Sequence, residues 1–262
     1  MSDEREILIQ EPSAIALRLS LQFNDRELAT GTGFITRATA GPLLITARHN
    51  LTGRRQDTGA CISRNGGIPN QVVIRHNSAS LGKYVEHIEP LYDDDEPLWF
   101  EHPTLGPSAD FVALPITQLD GVDLNVTVFP FMPPQFHLIP GDPVNVVGYP
   151  FGYTGAGDFA IWTTGFVATE IELNYAELPQ FLIDARTREG QSGAPVFAYR
   201  FGWVRKRDGH PFLLWTPAYD FLGIYSGRVN DQSDIGIVWK TKALAELVNS
   251  VASAPVFQGH NA

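Results

Sequence analysis

This chain of 262 residues carries one cysteine, Cys61, so no internal disulfide can form. Disulfide-dependent domains of secreted proteins carry several cysteines, so the expectation is a reducing compartment and a cytoplasmic location. Cys61 lies among Gly59, Ala60 and Ser63, with no His or Cys partner at metal-ligand spacing. Basic residues are also scarce. Nineteen Lys and Arg stand against 29 Asp and Glu, for a formal net charge of -10. That balance argues against general nucleic-acid binding, which leaves a basic footprint. Long apolar runs are missing too. The N-terminal stretch Met1-Ser2-Asp3-Glu4-Arg5-Glu6 is charged and leads into none, so neither a signal peptide nor a membrane span is expected. There is no internal repeat and no low-complexity segment.

What the chain does have is many short strand patterns. Residues 15–23 place an apolar side chain at every odd position, the mark of a half-buried strand. Strands are also expected over residues 30–36, 43–47, 71–75, 143–150, 159–168, 181–185, 197–199, 221–228 and 236–239. The run Asp93-Asp94-Asp95-Glu96 reads as a solvated loop, without the ligand spacing of a calcium site. Residues 117–142 hold Pro130, Pro133, Pro134 and Pro140, which cannot donate to a sheet ladder, so this stretch reads as an extended linker. Residues 200–217 read as a hairpin arm with Asp208-Gly209 at its tip, carrying Arg200, Trp203, Arg205, Lys206 and Arg207. A solvated arm is the simpler reading of those cations than a nucleic-acid or acidic-partner contact. Leu244, Leu247, Val248 and Val251 form one helical stripe near the end. Many strands and a single terminal helix make an all-β chain, a sandwich or a barrel pair.

Three stretches carry chemistry. Gly190-Gln191-Ser192-Gly193-Ala194-Pro195 places a serine between two glycines, on a turn whose amides can converge on one point. Leu43-Leu44-Ile45-Thr46-Ala47-Arg48-His49 is a buried strand followed by a histidine, and Ser108-Ala109-Asp110-Phe111-Val112-Ala113-Leu114-Pro115 is an aspartate opening a strand. The rival histidines His76, His87, His102 and His137 do not end so apolar a strand. In the order His, Asp, Ser, the chain resembles the trypsin-like (chymotrypsin-fold) serine peptidases in their bacterial, disulfide-free branch, from about Gly31 to about Val251. An α/β-hydrolase would need Gly-x-Ser-x-Gly, the order Ser, acid, His, and alternating helices, none of which is present.

The resemblance implies two antiparallel six-stranded β-barrels and a C-terminal helix, with the site in the cleft between them. The lobes would run over residues 1–125 and 143–238, joined by a linker over 126–142 and closed by a helix and tail over 239–262. It also implies a serine endopeptidase with Ser192 as nucleophile, His49 as general base, Asp110 as orienting carboxylate, and the Gly190 and Ser192 amides as oxyanion hole. No metal or other cofactor is implied. The partners would be a protein or peptide substrate and a regulatory protein, with neither nucleic acid nor membrane. A catalytically idle fold serving as a protein-binding module is the alternative, disfavoured by the intact triad.

Substrate contacts would come from Arg186, Thr187, Tyr225, Ser226, Gly227 and Arg228. Tyr225 falls where acid-specific members carry histidine, and Arg186 falls where trypsin carries its basic-selective aspartate. No trypsin-like preference is therefore expected, and the two arginines Arg186 and Arg228 would favour an acidic or polar side chain. Gln191 replaces the aspartate that pairs with a freed N-terminus in digestive members, so no N-terminal activation switch is expected. Ala194 replaces a glycine common there, a change that would strain the backbone if the position needed positive φ.

Overall fold

The computed structural model describes residues 8–63, 65–80, 82–124 and 135–251. The first part comprises α1 (Glu11–Ile15), β1 (Leu17–Phe23), β2 (Arg26–Ala38), β3 (Gly41–Thr46), α2 (Arg48–Thr52), β4 (Gln71–Asn77) and β5 (Tyr84–Pro90). The short β6 (Tyr92–Asp93), β7 (Glu96–Pro97) and β8 (Val112–Pro115) follow. The second part comprises β9 (Pro143–Gly148), β10 (Ile161–Val167), β11 (Gln180–Asp184), β12 (Pro195–Arg205), β13 (Pro211–Arg228), β14 (Ile235–Lys240) and α3 (Thr241–Val251).

The apolar alternation of β1 buries Leu17, Leu19 and Leu21, but it does not begin at residue 15. Ile15 closes α1, which starts with Pro12 in its first turn, where a missing N–H is harmless. The acidic run is the tip of the β6–β7 hairpin, with Asp94 and Asp95 both at positive φ. The stripe Leu244, Leu247, Val248 and Val251 is buried along α3.

Two six-stranded antiparallel sheets result, in a chymotrypsin-like arrangement. The second, in the order β10-β11-β14-β13-β12-β9, closes on itself. The first, β5-β4-β1-β2-β3-β8, is an open sheet and not the second closed barrel expected from the sequence. The reason lies at its seam. β8 has four residues, and the chain beyond it meets the side chain of Glu89 on β5 instead of the β5 backbone ladder. The Glu89 carboxylate, 1% exposed, accepts from Thr117 N at 2.8 Å, Gln118 N at 2.9 Å and Thr117 Oγ1 at 2.7 Å. A buried carboxylate must be matched in this way, because an unanswered charge in the interior is strongly unfavourable.

Among the described residues, three apolar clusters form the core. Leu19, Leu44, Ile74 and Trp99 belong to one, inside the first sheet. Val146, Ile183, Val196 and Val238 belong to another, inside the second. The third lies between the sheets, where Phe34 and Phe111 meet Phe197, Trp239 and the α3 residues Leu244 and Leu247. The first sheet falls within residues 17–115 and the second within 143–240. Residues 126–134 of the expected linker lie outside the described residues. Residues 135–137 run beside the arm, where His137 N donates to Arg205 O at 2.8 Å and Phe136 N to Asp220 Oδ2 at 2.6 Å. The arm itself is the long β12–β13 pairing, whose cations are answered within the chain. Arg205 meets Asp142, Arg207 meets Glu172, and Lys206 lies over the Phe212 ring.

His76 on β4 is fully buried, and among the described residues neither of its ring nitrogens has a hydrogen-bond partner. Burial, with a smaller contribution from His87, lowers its pKa to about 4. As pH falls below about 6.5 the unfolded chain takes up this proton first, so the fold loses stability between about pH 6.5 and 4. The expected outcome is that His76→Leu loses about 2 kcal/mol less than the parent between pH 7 and pH 5, measured by urea unfolding at both pH values.

Candidate active site

The first sheet supplies two of the nominated residues from the ends of neighbouring strands. β3 runs into α2, which carries His49, and Asp110 stands two residues before β8, the strand paired with β3. The two side chains meet with His49 Nδ1 2.7 Å from Asp110 Oδ2, while His49 N donates to Asp110 Oδ1 at 3.0 Å. Asp110 is 3% exposed, so both carboxylate oxygens are occupied by protein donors in a sheltered place. A third donor comes from the other sheet: Ser226 Oγ reaches Asp110 Oδ2 at 2.5 Å. Burial lowers the His49 pKa, but the Asp110 charge and the hydrogen bond to it outweigh that effect, and the net shift is upward. With Nδ1–H committed to the carboxylate, Nε2 is the nitrogen left to accept a proton.

Ser192 sits on the turn between β11 and β12. Gly190 and Gly193 adopt φ +90° and +88°, and a Cβ at either would lie 2.4 Å from Tyr149 O or 2.0 Å from Thr32 O. Only glycine satisfies both demands. Ala194 is not among the positive-φ residues, so the alanine at that position is unstrained. The serine carbonyl is gripped from the first sheet, by Thr32 N at 3.0 Å and by Asn50 Nδ2 at 2.9 Å. Asn50 follows His49 on α2, so this grip sets serine and histidine beside each other. Among the described residues the Ser192 hydroxyl makes no hydrogen bond to His49. Such contacts are often long in free enzymes and tighten with substrate.

The amides of this turn are oriented by their neighbours. Glu189 O accepts from Phe151 N at 2.6 Å, and Gly190 O accepts from Thr32 Oγ1 at 2.7 Å. In a trans peptide the N–H points opposite to the C=O, so the Gly190 amide faces away from Phe151. Among the described residues neither the Gly190 nor the Ser192 amide donates to a protein acceptor. Two free amides on a rigid turn can receive a developing oxyanion. Gln191 is fully buried, with Oε1 accepting from Arg188 N at 2.8 Å and Nε2 donating to Thr163 Oγ1 at 2.9 Å.

The nominated substrate contacts divide. Arg186 turns outward, 84% exposed, toward Asp234 at 3.8 Å. The guanidinium of Arg228 donates to Asp231 O at 3.2 Å on an exposed loop. Thr187 and Tyr225 turn inward and are buried, and their hydroxyls share a hydrogen bond of 2.5 Å. Gly227 has φ +157°, a value that L side chains rarely adopt, on β13 beside Ser226. The hydroxyl of Ser226 is placed on Asp110. Thr32, Asn50 and Phe151 were not nominated. The weak signal for Asn50 was its place directly after the histidine.

The trypsin-like peptidase domain family model matches residues 31–204. No curated protein matches the chain. Among solved structures, a serine endoprotease from Yersinia pestis superposes with a TM-score of 0.52 at 15% identity, covering 95% of this chain and 68% of that one. The active form of the Rv3671c protease from Mycobacterium tuberculosis gives a TM-score of 0.48 at 18% identity, covering 93% and 83%.

Removing the Ser226 hydroxyl leaves the Asp110 charge to fall more fully on His49, which raises the His49 pKa further. Ser226→Ala is therefore expected to move the acid limb of the kcat/KM profile to higher pH, measured on a soluble peptide substrate from pH 5 to 9.

Proposed function

The chain belongs to the trypsin-like peptidase domain family and is a serine-type endopeptidase, and we propose that it cleaves peptide bonds through an acyl-enzyme formed on Ser192. The observation that carries this reading is the pairing of His49 Nδ1 with Asp110 at 2.7 Å, beside a serine turn gripped by the residue next to that histidine. In the proposed reaction the Ser192 hydroxyl attacks the scissile carbonyl while His49 Nε2 takes its proton. Asp110 holds the tautomer and stabilises the imidazolium, and the Gly190 and Ser192 amides bind the oxyanion. His49 then protonates the leaving amine, and water, activated by the same ring, releases the acyl group.

The site works without N-terminal trimming in this reading. Gln191 is neutral, and both ends of its amide already have partners inside the fold, so nothing there calls for a new terminus. The single cysteine supports a cytoplasmic location. A protein or peptide is the substrate, and a regulatory protein partner is part of the proposal.

A fluorophosphonate probe tests it. The full chain is expected to label and Ser192→Ala is not, read by in-gel fluorescence. Asp110→Asn is expected to lower turnover of a peptide substrate by about 10⁴-fold. Labelling that persists in Ser192→Ala, or an unlabelled parent chain, overturns the assignment.

A further inference from the structure

The pocket for the substrate side chain at the scissile bond follows from the proposed triad, and what is inferred about it rests on that reading. With the carbonyl carbon at Ser192 Oγ and its oxygen toward the Gly190 and Ser192 amides, that side chain enters between two walls. One is the loop over residues 185–192, and the other is β13 at residues 225–228.

The gap between those walls is crossed by two hydroxyls. Tyr225 from β13 and Thr187 from the loop share a hydrogen bond of 2.5 Å, and they are 2% and 0% exposed. Tyr225 cannot step aside. Its N donates to Ala194 O at 2.8 Å and its carbonyl accepts from Gly193 N at 2.8 Å, so its backbone is tied to the serine turn itself. Its ring lies on Gly236 of β14, where a Cβ would come 2.6 Å from Cε2. Any side chain at 236 would collide with the ring, and the glycine is what lets the tyrosine fit. The ring also packs in the interior cluster of the closed sheet with Ile183 and Val238.

We infer that the Tyr225–Thr187 pair is the floor of a shallow side-chain pocket, and that this enzyme cleaves after small uncharged residues such as alanine, serine and valine. A long side chain would have to displace a buried aromatic ring from close packing, which a core does not permit cheaply. A charged one would meet a neutral floor, because burial pushes the Tyr225 hydroxyl up to about 12 and keeps it protonated. The nearby cations are engaged by other groups, Arg188 also donating to the Thr187 carbonyl at 2.7 Å. Arg186 and Arg188 are turned to Asp234, and Arg228 to the Asp231 carbonyl. The acid preference expected from Arg186 and Arg228 is therefore replaced by a size preference set by Tyr225.

The test is a series of otherwise identical peptide substrates with Ala, Ser, Val, Leu, Phe, Glu or Lys before the scissile bond. It is run on the full chain, on Tyr225→Val and on Tyr225→Phe, each also labelled with the fluorophosphonate. The parent is expected to favour the first three by tenfold or more in kcat/KM. Tyr225→Val is expected to gain at least tenfold on Leu or Phe relative to Ala. Tyr225→Phe, which keeps the ring, is expected to keep the parent's order of preference. A labelled parent that cleaves after Glu, Lys or Phe as well as after Ala overturns the inference and leaves the peptidase reading standing. A parent that neither labels nor cleaves any peptide overturns both. If Tyr225→Val does not label, Tyr225→Phe decides: loss of the small-residue preference there overturns the ring as the floor.

Discussion

The contact on which the site depends is made by Thr32. It sits on β2 of the first sheet, fully buried, and each of its backbone and side-chain polar groups is committed. Its N–H holds Ser192 O at 3.0 Å, its hydroxyl donates to Gly190 O at 2.7 Å and accepts from Tyr149 N at 3.1 Å, and its carbonyl accepts from Thr46 Oγ1 at 2.7 Å. One residue thus fixes two carbonyls of the serine turn and the turn over residues 149–152 that backs it. Each bond contributes only about 1 kcal/mol net, but a buried group left unpaired costs about 1–3 kcal/mol. The turn is held in register by the penalty for letting go more than by the strength of any one bond. This is also why Gly193 has no room for a side chain: the Thr32 carbonyl stands where the Cβ would be.

The two sheets solve closure differently, and the difference suits their duties. The second sheet carries the serine turn between two of its ladder strands, β11 and β12, and a complete ring of hydrogen bonds surrounds it. The first carries His49 and Asp110 at the ends of β3 and just before β8. Those two strands pair with each other, so histidine and carboxylate inherit their spacing from a ladder of four registered pairs, Leu43↔Pro115 to Thr46↔Val112. The weak edge of the sheet is put at the far side of β8, where Glu89 bridges it. The cluster between the sheets then fixes one against the other. Phe111, next to Asp110, packs its ring 5.2 Å from that of Trp239, and α3 covers both.

What the sequence showed and what it hid follow from the range of the interactions. β1, β3 and α3 are legible because their apolar residues recur with the period of the element, and His49, Asp110 and Ser192 because each adjoins such an element. The bond from the Ser226 hydroxyl to Asp110 gave no sign in the sequence, since the two lie 116 residues apart. Thr32 gave no sign of its task, since Gly190 lies 158 residues away. The open seam that Glu89 bridges has no signature in local periodicity. Ile15 continued an alternation that Pro12 had already diverted into a helical turn. Arg186 shows the same limit: nothing in the sequence pairs it with Asp234 on the loop before β14.

If, as proposed, the peptidase needs no N-terminal switch, it has to limit its action by other means, and the interior of the second sheet suggests how. Gln191 directly precedes Ser192, and the Tyr225 backbone is tied to Gly193 and Ala194, which follow it. Gln191 closes its amide onto Arg188 and Thr163, and Tyr225 closes its hydroxyl onto Thr187. All three partners are internal, so the conformation of the turn does not wait on an outside group to complete it. In the digestive enzymes the buried aspartate at the place of Gln191 leaves a charge to be answered, and the turn is completed only when a freed terminus arrives. A neutral amide with both ends bonded has no such unmet demand. Restraint then falls on what can enter: where the turn is always set, a floor that admits only small side chains narrows the set of cleavable bonds without any moving part.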